Sequence, residues 1–260
     1  MSTSPPTYVE GHGLLAGKTV LVTAAAGTGI GFAAAKRCVE EGARVMISDI
    51  HERRLAEAVA ELEKLASENV PSRICNVTEE ADVQSLIQGA ISELGRIDVL
   101  INNAGLGGTA NVVDMTDDQW NAVMNITLTG TFRMTRAALP HMMERGAGVI
   151  VNNASVLGWR AQEGQAHYAA AKAGVMALTR CSALEAAEHG VRINAVAPSI
   201  ATHKFLAKVT PQKLLDELES REAFGRGAEP WEVANVMVFL ASDYSSYMTG
   251  EIVSVSSQRA

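Results

Sequence analysis

The sequence predicts a doubly wound α/β fold: a single domain on a parallel sheet of about seven strands, with helices on both faces. Three observations predict it. Short apolar runs alternate with longer stretches of helical periodicity along nearly the whole chain. The runs are continuously apolar, as strands covered on both faces are. A glycine-rich turn follows the first run directly. A length of 260 residues suits one α/β unit.

The elements follow in order. Residues 1–13, MSTSPPTYVEGHG, are polar with two prolines and read as a loose arm before the domain at 14–260. KTVLVTA (18–24) is the first strand, GFAAAKRCVEEG (31–42) a helix closed by glycine, and ARVMISD (43–49) the second strand. ERRLAEAVAELEKLASE (52–68) is an amphipathic helix and VPSRICNV (70–77) a strand. TEEADVQSLIQGAISELG (78–95) opens on Thr78 with Glu79 and Glu80 in its first turn, where acids suit a helix N-terminus. RIDVLINNAG (96–105) is the fourth strand, 117–144 a long helix, and GAGVIVNNAS (146–155) the fifth strand. A helix over 165–188, the strand VRINAVAP (191–198), a short helix near 211–222, a helix over 229–242 and the strand EIVSVS (251–256) complete a Rossmann-like order.

Composition narrows the function. With 47% hydrophobic and 20% charged residues the chain is an ordinary globular protein, and a net charge of -7 argues against nucleic acid or an anionic membrane as partner. No apolar run approaches the ~20 residues of a membrane span, and the start lacks a secretion signal, so a cytoplasmic location is expected. Cys38, Cys75 and Cys181 read as buried free thiols, and neither they nor the histidines show metal spacing, so no metal is expected.

After the first strand, TAAAGTGIG (23–31) places small residues where a helix N-terminus attracts phosphate. Gly27, Gly29 and Gly31 suit a close backbone approach, and Thr23, Thr28 and Ile30 complete the candidate cofactor contacts in this loop. Asp49, at the end of the second strand, can accept hydrogen bonds from both adenosine ribose hydroxyls and would repel a 2'-phosphate, which favours NAD over NADP.

In YAAAK, Tyr168 and Lys172 are four residues apart and share one helix face. Thirteen residues before Tyr168 stands Ser155. Taken in order, the glycine loop, Asp49, NNAG (102–105), Asn125, Ser155 and YAAAK (168–172) resemble the short-chain dehydrogenase/reductase family over about residues 14–256. The resemblance implies that Tyr168 exchanges a proton with a substrate oxygen that Ser155 hydrogen-bonds, and that Lys172 also bonds the nicotinamide ribose. It implies that Asn125 holds a water leading from Lys172 to solvent. On the same footing Asn103, Ala104 and Gly105 lie along the adenosine half of the cofactor, Asn76 and Val77 flank the adenine, and Ile200 and Thr202 meet the carboxamide. An adjacent ammonium and a cationic nicotinamide would lower the phenol from about 10 toward neutrality.

The chain departs from the family pattern in its longer, alanine-rich loop, in Asn76 for a common aspartate, in PSIAT (198–202) and in an ending, VSVSSQ, without Asp-Gly-Gly. The expectation is an NAD-dependent oxidoreductase interconverting a secondary alcohol and a ketone on a small-molecule substrate, a hydroxyacyl-CoA or steroid-derived alicyclic compound. A segment over about 199–226, with His203, Lys204, Lys208, Lys213, Arg221 and Arg226, would act as the substrate lid. His167, Trp159, Met115 and Met248 are candidates to line the pocket. The helix 165–188 is apolar or small nearly all round, as a homodimer or homotetramer contact would be. The alternatives are an NADPH-dependent ketoreductase and a catalytically idle dinucleotide-binding sensor.

Overall fold

The computed structural model describes residues 4–202, 206 and 212–257. Seven strands form one sheet in the order β3-β2-β1-β4-β5-β6-β7, with every neighbouring pair parallel. They are β1 (Thr19–Val22), β2 (Arg44–Asp49), β3 (Ser72–Ile74), β4 (Val99–Asn102), β5 (Gly148–Asn153), β6 (Val191–Pro198) and β7 (Ile252–Val255). The helices are α1 (Ile30–Glu40), α2 (Glu52–Ala66), α3 (Glu80–Leu94), α4 (Asp117–Val123), α5 (Gly130–Arg145), α6 (Ala166–Ala187), α7 (Gln212–Ser220) and α8 (Pro230–Ala241).

The strand period of two sorts the apolar side chains into two cores. Val20, Val22, Val45, Ile47, Val99 and Ile101 face α1, α2 and α8, in a core with Ala34, Leu55, Leu62 and Met237. Leu21, Met46, Leu100 and Ile150 face the other way, onto Leu86 and Ile87 of α3, Met134 and Met142 of α5, and Ala183 of α6. Because both faces are covered, the strand ends are the open edge. The chain order reverses between β1 and β4, and at that point a crevice opens beyond the carboxyl ends of the strands.

Two sequence expectations need correction. The arm is tied down rather than loose from Tyr8 onward: Tyr8 donates to Glu40 and packs edge-on against Trp231, and Arg37 donates to the carbonyls of Val9 and Glu10. The carboxylate of Glu41 accepts the backbone N–H groups of His12 and Leu14 while pairing with Arg37, so the arm satisfies a buried ion pair. The predicted long helix 117–144 is helical throughout, from Asp117 to Arg145, with a π-helical turn, Met124–Thr129, between α4 and α5. Among the cysteines, Cys38 and Cys75 are buried, but Cys181 lies on the exposed face of α6. No helix among the described residues is long and apolar enough to cross a membrane.

Candidate active site

The ends of β4 and β5 carry the same three residues, NNA at 102–104 and at 152–154, and parallel pairing sets Asn102 beside Asn152. The Asn102 side chain donates to Asn152 Oδ1 at 2.9 Å and to Thr135 Oγ1 at 3.2 Å, and Asn152 donates on to Thr179 Oγ1 of α6 at 2.9 Å. One residue further, Asn153 Nδ2 donates to Asn103 Oδ1 at 2.9 Å, and Asn103 Nδ2 donates to the Ala24 carbonyl at 3.0 Å. Paired buried amides thus fix three connections against each other at the carboxyl edge.

Helix α6 lies across this edge and brings the candidate proton-handling residues together. Ser155 caps a short turn after β5, its hydroxyl accepting from Leu157 N at 3.2 Å and donating to Pro198 O at 3.5 Å, and its hydroxyl pulls the Tyr168 phenol downward. Lys172, one turn after Tyr168, is buried; its ammonium lies 5.6 Å from the Tyr168 ring centroid and donates to the carbonyl of Asn153. Asn153 was not singled out in the sequence, although the repeated NNA marked it.

Of the protein's own groups, it is Ser155 rather than Lys172 that pulls the phenol downward. Burial pushes Tyr168 up to about 12, against the pull of the Ser155 hydroxyl. Burial also takes Lys172 down to about 8, so the amine carries less charge to bias its neighbour. A phenol that stays protonated at neutral pH is able to donate its proton.

Asn125 sits on the π-helical turn, and its side-chain oxygen accepts from Arg133 Nη1 at 2.9 Å while its carbonyl accepts from the Gly130 N–H. Its amide therefore braces the widened turn. Two residues on, Thr127 is fully buried and its hydroxyl meets Leu106 in the loop after NNAG.

The residues present fit a dinucleotide. Gly29 caps α1 without a side-chain bond, no acid occupies the first turn, and the helix N–H groups are open to an anion. Gly27 has φ +95°, and a side-chain carbon on Gly31 would stand 2.3 Å from both the Ala24 carbonyl and Asn103 Nδ2. Only glycine lets the loop and helix meet that closely. The alanine run folds back onto β2: Ala25 N donates to Ser48 O at 3.0 Å and Ala26 N to Asp49 Oδ2 at 3.1 Å. Asp49 is 7% exposed at the end of β2; burial pushes its carboxyl up, with the Ala26 N–H and the Arg54 charge pulling the other way.

The remaining candidates are placed as follows. Thr23 is buried, and its hydroxyl accepts from Asn103 N at 3.0 Å and Ala104 N at 3.2 Å, so it joins β1 to the NNAG loop. Thr28 is exposed and Ile30 begins α1, packed on the core. The Asn76 oxygen, expected to meet adenine, accepts instead from the Thr78 N–H at 3.1 Å and hydroxyl at 2.9 Å, a local turn that draws Thr78 away from capping α3. Val77 is buried in the α3–α5 core. Gly105 lies close to Lys172, where a side-chain carbon would be 3.5 Å from Nζ.

Ile200 O accepts from Ala228 N at 2.9 Å, and Thr202 donates from its N–H to Ala228 O at 2.9 Å and from its hydroxyl to Glu219 at 3.0 Å. Both residues anchor the chain leading to α7. His167 is buried against Gly108, Trp159 is exposed, and Met248 packs on the α1–α8 core. Lys213 and Arg221 lie along and just after α7, Arg221 bonded to Glu217, while Arg226 pairs with Glu232. His203, Lys204 and Lys208 lie outside the described residues. Among the described residues no group of three or more His, Cys, Asp or Glu side chains is placed to hold a metal ion.

Known proteins match this arrangement along its length. A family model described as enoyl-(acyl carrier protein) reductase covers residues 24–257. Over 254 residues the chain is 63% identical to the (5R,7aS)-5-hydroxy-7a-methyl-1-oxo-2,3,5,6,7,7a-hexahydro-1H-indene-carboxyl-CoA reductase of Mycobacterium tuberculosis, with 97% of each chain covered. It is 40% identical over 241 residues to a 3-oxoacyl-(acyl-carrier-protein) reductase of Thermotoga maritima, covering 93% of this chain and 97% of that one. A crystal structure of a short chain dehydrogenase from Mycobacterium smegmatis superposes with a TM-score of 0.89 at 59% identity, covering 99% of both chains.

Proposed function

The chain belongs to the short-chain dehydrogenase/reductase family, oxidoreductases of CH–OH groups that bind a nicotinamide dinucleotide, and on that premise we propose that it reduces the ketone of an alicyclic acyl-CoA to a secondary alcohol with NADH. The observation that carries the reading is the convergence at the carboxyl edge of Ser155, which acts on the Tyr168 phenol, and of the buried Lys172 ammonium, 5.6 Å from the Tyr168 ring centroid. The 63% identity to a reductase of a fused-ring carboxyl-CoA supports the substrate class.

When bound, the dinucleotide supplies the two-electron exchange with the substrate carbon. Gly27, Gly29 and the open N-terminus of α1 would hold its pyrophosphate, Asp49 its adenosine ribose, and Lys172 its nicotinamide ribose. Ser155 donates a hydrogen bond to the substrate oxygen and sets that oxygen beside Tyr168. The phenol, kept protonated by burial, gives its proton to the oxygen as negative charge develops there. Lys172, steadied by the Asn153 carbonyl, stabilises the phenolate left behind.

A second cofactor reading has its own observation. Arg54 acts on Asp49, and a cavity of about 350 Å³ lined by His51, Glu52, Arg53 and Arg54 could admit the 2'-phosphate of NADPH. The chain also assembles as a homodimer or homotetramer in this reading, which the 79% exposure of Leu184 on α6 supports. The test is a panel of oxo-acyl-CoA and alicyclic ketone substrates followed by reduced-nicotinamide absorbance. Tyr168→Phe and Ser155→Ala should each lose roughly 100-fold or more in kcat/KM, while fluorescence titration shows NADH still bound. Turnover undiminished in Tyr168→Phe would sink the reading.

A further inference from the structure

We propose that Thr127 is a positioning residue for Lys172, acting through Leu106 and Gly105 to fix the backbone wall beside the lysine ammonium. The inference rests on the proposed function only in giving Lys172 its role; the geometry stands apart from it.

Thr127 lies on the π-helical turn Met124–Thr129, and such turns recur where a helix is distorted to aim a side chain. Its side chain is wholly buried, and its hydroxyl both donates to Leu106 O at 3.2 Å and accepts from Leu106 N at 3.0 Å. The backbone groups of Leu106 would lose this partner in a residue lacking the hydroxyl. Just before Leu106 comes Gly105, where a side-chain carbon would stand 3.5 Å from Lys172 Nζ and 3.7 Å from Thr127 Oγ1. The threonine hydroxyl and the lysine ammonium therefore both border Gly105 on the side where a side chain would stand.

Lys172 needs such a wall. On its other side its ammonium donates to the Asn153 carbonyl, and no carboxylate pairs with it among the described residues. A lysine side chain has many rotamers, and one backbone acceptor does not by itself choose among them. Asn125, another polar residue of MNITLTG, has its side-chain oxygen turned to Arg133. From this segment it is Thr127 that reaches the loop.

Thr127→Val keeps the shape and removes the hydroxyl, whereas Thr127→Ser keeps the hydroxyl. Two readouts are followed: the pH profile of kcat with NADH and acetoacetyl-CoA, and the rate at which acetic anhydride labels Lys172 in the cofactor-free protein, read by mass spectrometry. Thr127→Val should lower kcat roughly 10-fold and move its pH profile, since a displacement near 1 Å in an active site costs this much or more. It should label Lys172 at least about threefold faster, as a loosened site does, and Thr127→Ser should match the parent within about twofold on both measures. Parent-like labelling and kcat in Thr127→Val, or equal impairment in both variants, would overturn the proposal. If Thr127→Val does not fold, Thr127→Ala decides by the labelling rate. A parent chain inactive on every substrate would count against the proposed function, and the labelling result would still judge the role of Thr127.

Discussion

Tyr168 and Lys172 answer burial in opposite senses, the phenol rising to about 12 and the amine falling to about 8. The cause is the same for both: a low-dielectric interior disfavours whichever form is charged. The consequence for stability follows from proton counts. Between pH 8 and 10.5 the unfolded chain keeps the Lys172 proton that the native chain has released, so stability rises with pH across that window. Above pH 10 the native chain keeps the Tyr168 proton that the unfolded chain loses, so stability falls toward pH 12. Lys172→Met removes the first effect and leaves the second. Urea unfolding at pH 7.5, 8.5 and 9.5 should then show the parent gaining relative to the variant by up to about 1 kcal/mol per pH unit. Parallel curves would mean that the lysine titrates as it does in water.

In the turn between β1 and α1, Ala24 takes φ +50°, in the left-handed region where a Cβ costs about 1 kcal/mol. Glycine there removes the clash at some cost in unfolded-state entropy, so Ala24→Gly should stabilise the chain by up to about 1 kcal/mol. For a domain of this size that raises Tm by about 2–4 °C, and a lower Tm would show that the methyl packs more than it strains. The sequence showed this turn's place, because glycines after a strand are a local signal, but not that an alanine would take the strained position. The other elements divide on the same line. Strand and helix positions were legible from period and apolarity, with β6 matching residue for residue. The π-helical turn was not, since one added residue leaves the helical pattern of 117–144 nearly intact. Neither was the Asn125–Arg133 bond, which spans eight residues, nor the docking of the arm, whose partners Arg37, Glu40 and Glu41 are 27 to 32 residues away.

Across the molecule, the proposed cofactor cradle draws on the turn after β1, the end of β2 and the loop after β4, and Asn103 ties the first to the third. Strands β1 and β4 are 79 residues apart along the chain at this tie, so unfolding disperses the cradle and a dinucleotide binds the native state alone. Such a ligand stabilises by RT ln(1 + [L]/Kd), about 2.7 kcal/mol at a hundredfold excess over Kd. Spread over a chain of this length, that amounts to a rise in Tm of about 5–10 °C. The rise should be larger for NADH than for NADPH at equal concentration, because the buried Asp49 carboxylate offers hydrogen bonds to a ribose diol and repels a phosphate in its place. Asp49→Ser should narrow the gap between the two cofactors by lowering the NADH shift and raising the NADPH shift. If NADPH already gives the larger shift in the parent, the Arg54 cavity rather than Asp49 governs the adenosine end, and the donor in the proposed reduction becomes NADPH.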